Sequence, residues 1–283
     1  MIDSHIHIAR ANGRALPKTD IEAIRAQLRR YTDRGVTAVR DGGDRDSMGL
    51  IAREAAKEIG IIYKTPIYAL VKRGGYGGFI GRETGSLSEI KEALAELMPQ
   101  TPDHIKVIQS GIVSFDRLGE ISPGGFPKNE LEYTCSFAHD RGLSVMCHCN
   151  GAREVELAVS CGADTIEHGY FMGGDALSAI RERGIVWVPT FVPLSNYLRS
   201  AAVSGDQRPV IEATLALHSK TLMKAINMGV CVALGSDAGA AAVDHGQGIL
   251  DELEYFVGAG VPRDLALSMA TKNGARALGL TLA

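Results

Sequence analysis

Short apolar runs alternate with amphipathic stretches from one end of the chain to the other. The runs fall at residues 2–8, 36–41, 61–71, 104–110, 144–149, 165–168, 185–191 and 230–235. Between them the apolar period lengthens. Ile21, Ile24, Leu28 and Tyr31 recur at helical spacing, and Ile90, Leu94, Leu97 and Met98 repeat the pattern. Gly35, Gly60, Gly142, Gly162, Gly184 and Gly229 each stand just before a strand, where the C-terminal ends of helices are expected. Strands alternating with helices predict a parallel sheet. Eight such units predict an α/β fold closed into a (β/α)8 TIM barrel, with an open doubly wound sheet as the competing architecture. No linker or low-complexity tract divides the chain, so residues 1–283 read as one domain. The longest irregular segments, 72–85, 111–127 and 193–209, each follow a strand. In a barrel, the loops after strands build the active face.

Composition changes this picture little: 45% hydrophobic and 22% charged residues are ordinary for a globular enzyme. Charge narrows the choice of partner. The net charge is −3 and no long basic run occurs, which argues against nucleic acid or an anionic membrane. A small-molecule substrate is the expected partner. No apolar run is long enough to span a bilayer, and the chain enters its first strand too early to leave room for a signal peptide. Cys135, Cys147, Cys149, Cys161 and Cys231 are odd in number, and four fall inside predicted elements, so they read as free thiols of a reducing cytoplasm.

The candidate chemistry begins on the first strand. His5 and His7 are two apart, so a strand turns both imidazoles to one face. That pair suits a divalent metal, although two satisfied core histidines explain it equally well. Other strand ends shift the balance. His148 ends the fifth strand, His168 ends the sixth and Asp237 follows the eighth, where barrel catalytic groups belong. Lys106 lies inside the fourth strand, and a buried lysine is costly unless paired or modified. Packing alone does not explain this set.

In this order and spacing, His5-x-His7, Lys106, His148, His168 and Asp237 resemble the amidohydrolase superfamily, in particular its binuclear-metal group related to imidazolonepropionase and Xaa-Pro dipeptidase-like enzymes. Val39-Arg40-Asp41-Gly42-Gly43, Thr165-Ile166-Glu167-His168-Gly169, Val188-Pro189-Thr190, Leu234-Gly235-Ser236-Asp237 and the stretch from Ala270 to Gly279 extend the likeness over essentially the whole chain. The resemblance implies two divalent ions, zinc foremost, with manganese, iron and cobalt also compatible. It implies that Lys106 is N6-carboxylated and bridges them, with His5, His7 and Asp237 on one ion and His148 and His168 on the other. Burial lowers a lysine pKa and supplies the neutral amine that carboxylation needs. It further implies hydrolysis of an amide by a bridging hydroxide, with Asp237 as general acid and base. The substrate would be a dipeptide, an N-acyl amino acid or a cyclic amide. Lactone, ester or phosphotriester hydrolysis is the nearest alternative, and a barrel that binds metal or ligand without turnover is the alternative of another class. A mononuclear deaminase would carry a carboxylate just beyond the fifth-strand histidine, whereas Cys149 and Asn150 follow His148 here.

For the substrate, the glycine-rich loop after the third strand offers Arg73, Tyr76 and Arg82, with Tyr76 where relatives often place a histidine. Arginine pairs well with a carboxylate. Tyr197, beyond the seventh strand, is a further candidate. Alternation turns Cys147 and Cys149 away from His148, towards the helices. His104, His139 and His218 read as structural or surface residues and His245 as part of a solvated loop, while Asp3 and Asp41 are candidates for orienting a ligand. The small β-sandwich that flanks the barrel in relatives is absent, and its bare docking surface leads us to expect a homo-oligomer.

Overall fold

Strands buried on both faces must be covered by helices, and the computed structural model, which describes residues 1–18 and 20–281, shows that arrangement. In chain order the strands are β1 (Ile2–Ile6), β2 (Arg10–Ala11), β3 (Arg14–Ala15), β4 (Ala38–Asp41), β5 (Ile62–Lys64), β6 (Ala69–Lys72), β7 (Gly81–Thr84), β8 (Ile105–Ile108), β9 (Val145–Cys149), β10 (Thr165–His168), β11 (Val186–Val188) and β12 (Cys231–Val232). They form a three-stranded sheet, β1-β4-β5, and a seven-stranded sheet, β12-β11-β10-β9-β8-β6-β7, both parallel throughout. β2 and β3 make a separate antiparallel hairpin. The sheets approach each other at two seams. β5 runs on through Thr65 to Ile67 into β6, and the Ser4 N–H donates to Leu234 O at 3.0 Å, just beyond β12. The strand order is of TIM-barrel type. Among the described residues no helix is long and apolar enough to cross a membrane.

Three predicted strands are cut short, for local reasons. The run at 61–71 divides into β5 and β6 because Ile67 takes a left-handed φ of 71°. Its N–H turns onto Thr65 Oγ1 at 3.0 Å, and the Thr65 N–H onto Asp103 Oδ2 at 3.0 Å. The run at 185–191 stops at Val188, where Pro189 has no N–H to give a ladder. The last run keeps only Cys231 and Val232, because the chain beyond them bonds to β1 instead.

The two periodic segments are helices, Ile21–Thr32 and Leu87–Leu97. Asp20 caps the first by accepting the Ala23 N–H, and Ser86 caps the second by accepting the Glu89 N–H. Their buried faces, Ile24, Leu28 and Tyr31 on one and Ile90, Leu94 and Leu97 on the other, join the main apolar core between strands and helices. A second apolar cluster plugs the amino-terminal end of the strands. Ile2, Ala38, Val186 and Ala233 meet Ala275, Ala277 and Leu278 there. With that end closed by hydrocarbon, His5, His7, His148, His168 and Asp237 gather around the cavity at the opposite end.

Candidate metal centre

β1 brings His5 and His7 to the carboxyl end of the strands, and Asp237 reaches them from the turn after β12. The backbone makes this meeting: the Asp237 N–H donates to His5 O at 2.7 Å, and the His7 N–H to Ala238 O at 2.7 Å. Asp237 Oδ1 lies 3.3 Å from His7 Nε2 and 3.6 Å from His5 Nε2. One ligand atom from each of the three residues fits within a mutual distance of 4.8 Å. The His5 and His168 rings are 5.0 Å apart, and the His168 and His148 rings 4.4 Å. Gly42 leaves the room that His7 occupies, since a Cβ there would lie 2.4 Å from His7 Cε1.

Register explains which side chains point inward. β8, β9 and β10 align Lys106 with Met146 and Thr165, and Ile108 with His148 and Glu167. His168 aligns with Cys149, which packs outward in the core under the helices, so strict alternation would turn His168 outward as well. A left-handed φ of 67° at His168 reverses that. Thr190 (φ 52°) and Asp237 (φ 54°) share the conformation. Such backbone costs on the order of 1–3 kcal/mol per residue and persists where the surroundings hold it. Here Thr190 Oγ1 bonds His168 Nδ1 at 2.6 Å, and the Trp187 indole N–H donates to His168 O at 2.9 Å.

The donor set fits divalent metal. Burial, with the Lys106 charge second, lowers His5 to a pKa of about 4 and His148 to about 3, so both imidazoles are neutral ligands at pH 7. Burial pushes the Asp237 carboxyl up, but His5 and His7 outweigh it and hold the group below its usual range. Lys106 Nζ is fully buried and has no hydrogen-bond partner among the described residues. Burial brings it down to about 8. A buried amine without a partner is expensive. A carbamate shared with metal would remove that expense and turn the amine into an oxygen ligand.

Glu167 and Arg40, which the sequence reading did not single out, support the centre from below. Glu167 Oε2 accepts from His5 Nδ1 at 2.8 Å, fixing the ring with Nε2 towards Asp237. Arg40 Nη2 donates to Glu167 Oε1 at 2.8 Å and anchors itself on Ser4 O, Thr165 Oγ1 and Ala277 O. Burial raises the Glu167 carboxyl, yet Arg40 and His5 overcome it and hold the group at about 2. Both side chains are essentially inaccessible to water. The register that places His148 inward also places Glu167 inward, whereas strict alternation with His168 read as inward turns Glu167 out. Arg40→Met leaves the carboxylate buried and unpaired, and is expected to destabilise the fold by about 3–5 kcal/mol in a denaturant titration. Adding Glu167→Leu is expected to recover much of that loss. Equal stability of Arg40→Met and wild type would refute the reading.

The remaining predicted residues divide. Tyr76 and Tyr197 line a cavity of about 310 Å³ that opens from the centre, and the Tyr76 ring lies 5.3 Å from that of His148. Arg73 and Arg82 do not line it; they are exposed and pair with Glu89 and Glu96, outside the glycine-rich loop. Asp3 serves the backbone rather than a histidine ring, accepting the Ser236 N–H at 2.8 Å and the Ser236 hydroxyl at 2.5 Å. Asp41 accepts the N–H groups of Ile8 and Gly43. His104 is buried against Asp41 O, His139 is exposed beside Asp164, and His218 is buried against Tyr170. The solvated-loop reading of His245 is overturned. It is buried, between Tyr31 OH at 2.9 Å and Arg10 O at 2.8 Å. The five cysteines are unpaired, with Cys147 and Cys149 in the core under the helices.

Comparison with known proteins follows this geometry. A family model described as "Amidohydrolase family" matches residues 1–282. Ochratoxinase of Aspergillus niger is 25% identical over 199 residues, which are 68% of this chain and 40% of that protein. The chain thus matches the curated relative over less than half its length. A crystal structure of a Xaa-Pro dipeptidase with bound methionine superposes with a TM-score of 0.80 at 24% identity, covering 99% of this chain and 75% of that one. The A. niger ochratoxinase structure does so with a TM-score of 0.79 at 21% identity, covering 98% and 71%. These structural likenesses show a shared fold.

Proposed function

Because this chain belongs to the amidohydrolase family, we propose that it hydrolyses an amide bond of a small molecule at a binuclear centre of divalent metal, built into one closed (β/α)8 barrel. The convergence of His5, His7, Asp237, His148 and His168 around the partnerless Lys106 amine carries this reading. His5, His7 and Asp237 would hold one ion, His148 and His168 the other, and a carboxylated Lys106 would serve as a ligand to both. Zinc is the first choice, and manganese, iron or cobalt suit the same ligands. When bound, the ions polarise the scissile carbonyl and make water nucleophilic at neutral pH.

The chain's own residues do the rest. Asp237, ionised at neutral pH, takes a proton from the attacking water and returns it to the leaving amine. Glu167 keeps His5 in one tautomer while charge redistributes. Tyr76, Ile112 and Leu194 form an apolar wall of the cavity beside the centre. Dipeptides, N-acyl amino acids and cyclic amides are the substrate classes that suit this arrangement. Hydrolysis of a neutral ester or lactone is the second reading, and the largely apolar cavity wall favours it.

Zinc-loaded protein, assayed on a panel of N-acyl amino acids, dipeptides and aryl esters, separates the two. Turnover of amides that disappears on chelation and returns with zinc is the expected result. Turnover confined to esters would move the assignment to the second reading, and turnover of neither would reject both.

A further inference from the structure

We propose that Glu252, on the helix Gln247–Gly258, is a positioning residue for the His148–His168 half of the centre: it holds the turn from Pro189 to Val192 so that Thr190 fixes His168 in the tautomer that leaves Nε2 for metal. The inference rests on the metal-centre reading above and assigns the group that keeps one half of it in order.

The tautomer follows from the bonds around Thr190. Glu167 takes His5 Nδ1, and Gly111 O takes His148 Nε2 at 3.1 Å. For His168 the partner is a hydroxyl, which can donate or accept, so its other bond decides. Thr190 Oγ1 lies 2.7 Å from Pro189 O. A carbonyl oxygen only accepts, so the hydroxyl proton goes there. A lone pair is left for His168 Nδ1 at 2.6 Å, and Nδ1 therefore carries the ring hydrogen. Nε2 keeps its lone pair.

Thr190 does not hold this position by itself. Its φ of 52° is left-handed, which a β-branched residue rarely adopts. Such backbone persists where the surroundings determine it. Three side chains from other elements do so. His218, on the helix Gln207–Met228, donates from Nε2 to Pro189 O at 3.2 Å, and its ring stacks on that of Tyr170 at 3.9 Å. The Tyr170 hydroxyl donates to Thr190 O at 3.1 Å. Glu252 accepts the Phe191 N–H on Oε1 at 3.0 Å and the Val192 N–H on Oε2 at 2.9 Å. Four consecutive residues are thus gripped from outside, and the turn offers His168 the Thr190 hydroxyl.

Within this grip, Glu252 has no second employment. Its side chain is fully buried, it forms no ion pair among the described residues, and both oxygens are spent on the turn. A carboxyl group taken so far from water is costly. Capping the helix Val192–Arg199 does not require it, since a serine or aspartate in the place of Phe191 would accept an N–H from within the segment. A group 61 positions further on instead fastens the turn to a neighbouring helix. The Thr190 hydroxyl is thereby kept from moving with the loop that follows it.

The test uses full-length, zinc-loaded protein with isotope-labelled histidine. Wild type is compared with Glu252→Gln, Thr190→Val and Thr190→Ser. Glutamine keeps the shape but turns an amide NH2 against one backbone N–H; valine removes only the hydroxyl. Zinc retention at graded free zinc gives an affinity for each ion, and NMR reads the His168 tautomer, its signal identified by its loss in His168→Gln. Glu252→Gln and Thr190→Val are each expected to weaken one ion by about 10- to 100-fold, the usual effect of losing a ligand's support, and to leave the other unchanged. The His168 Nδ1–H signal is expected in wild type and Thr190→Ser and lost in the other two. The double variant is expected to be no weaker than Thr190→Val, because both changes act through one bond. A purely structural Glu252 would lower the melting temperature and leave the tautomer and the ratio of the two zinc affinities as they are. That outcome overturns the inference, as does an Nε2–H tautomer in wild type or equal weakening of both ions. If Glu252→Gln does not fold, Glu252→Asp, which shortens the reach and keeps the charge, supplies the same comparison. If wild type retains no zinc, the metal reading fails, and the His168 tautomer in the same proteins still decides the role of Glu252.

Discussion

Lys106→Ala, reconstituted with zinc, is expected to hold one ion or none per chain where wild type holds about two, and to lose turnover by about a thousand-fold or more. Elemental analysis reads the first effect and the amide assay the second. The expectation follows from the position of the amine rather than from its chemistry alone. Lys106 Nζ is inside the fold, beneath the rings of His5, His148 and His168, with no described group to bond. Arg40 already neutralises much of Glu167, and Asp237 acts on the amine more weakly, so burial prevails over pairing at Lys106. Burial lowers Lys106 to about 8 and makes the neutral amine available at physiological pH. A carbamate would turn the amine into an anionic oxygen ligand for both ions. Alanine removes that oxygen but leaves the histidines in place, so the fold is expected to survive in circular dichroism. The same metal content in both proteins would end the bridging role of Lys106 and point to a mononuclear site.

The residues that the sequence made legible are those whose type and period agree. His5 and His7 share a strand face; Lys106 stands out in an apolar strand; His148 lies between two cysteines that alternation turns the other way. All three conclusions depend only on a period of two. The parallel order of strands was legible from their alternation with helices. What could not be read from the period was set by bonds between distant segments. The division of the third predicted strand depends on Asp103 accepting the Thr65 N–H, 38 residues along the chain and outside any local pattern. His168 points inward only because its backbone is left-handed, which the period would have denied. Arg73 and Arg82 seemed suited to an acidic substrate because they flank a glycine-rich loop, yet glutamates of the following helix claim both. The β2–β3 hairpin is held by Gly239, Ala242 and His245, more than two hundred positions further on. Glu167 was missed because its neighbour His168 was read as inward, and only the left-handed backbone there lets both face the interior.

Asp237→Asn is expected to lower kcat for an amide by about 10²- to 10⁴-fold, the usual contribution of a positioned acid or base, with little change in KM. Asparagine keeps an oxygen for metal but cannot accept or return a proton at neutral pH. Two roles for Asp237 are therefore separable. As a metal ligand it acts on every substrate alike. As the proton carrier it matters most where the leaving group is a poor one. An amide nitrogen must be protonated to leave, whereas a nitrophenolate leaves as the anion. The expected result is a large loss on an N-acyl amino acid and a much smaller loss on the matching nitrophenyl ester, at unchanged metal content. An equal loss on both, with metal retained, would make Asp237 a ligand and give the proton to another group. The structure favours the double role. Asp237 Oδ1 stands between His5 Nε2 and His7 Nε2 at 3.6 and 3.3 Å, while the residue lines the cavity in which the substrate must lie. Its backbone is pinned by His5 O in a strained conformation that aims the carboxylate inward, so a proton it carries would be handed over from a fixed point.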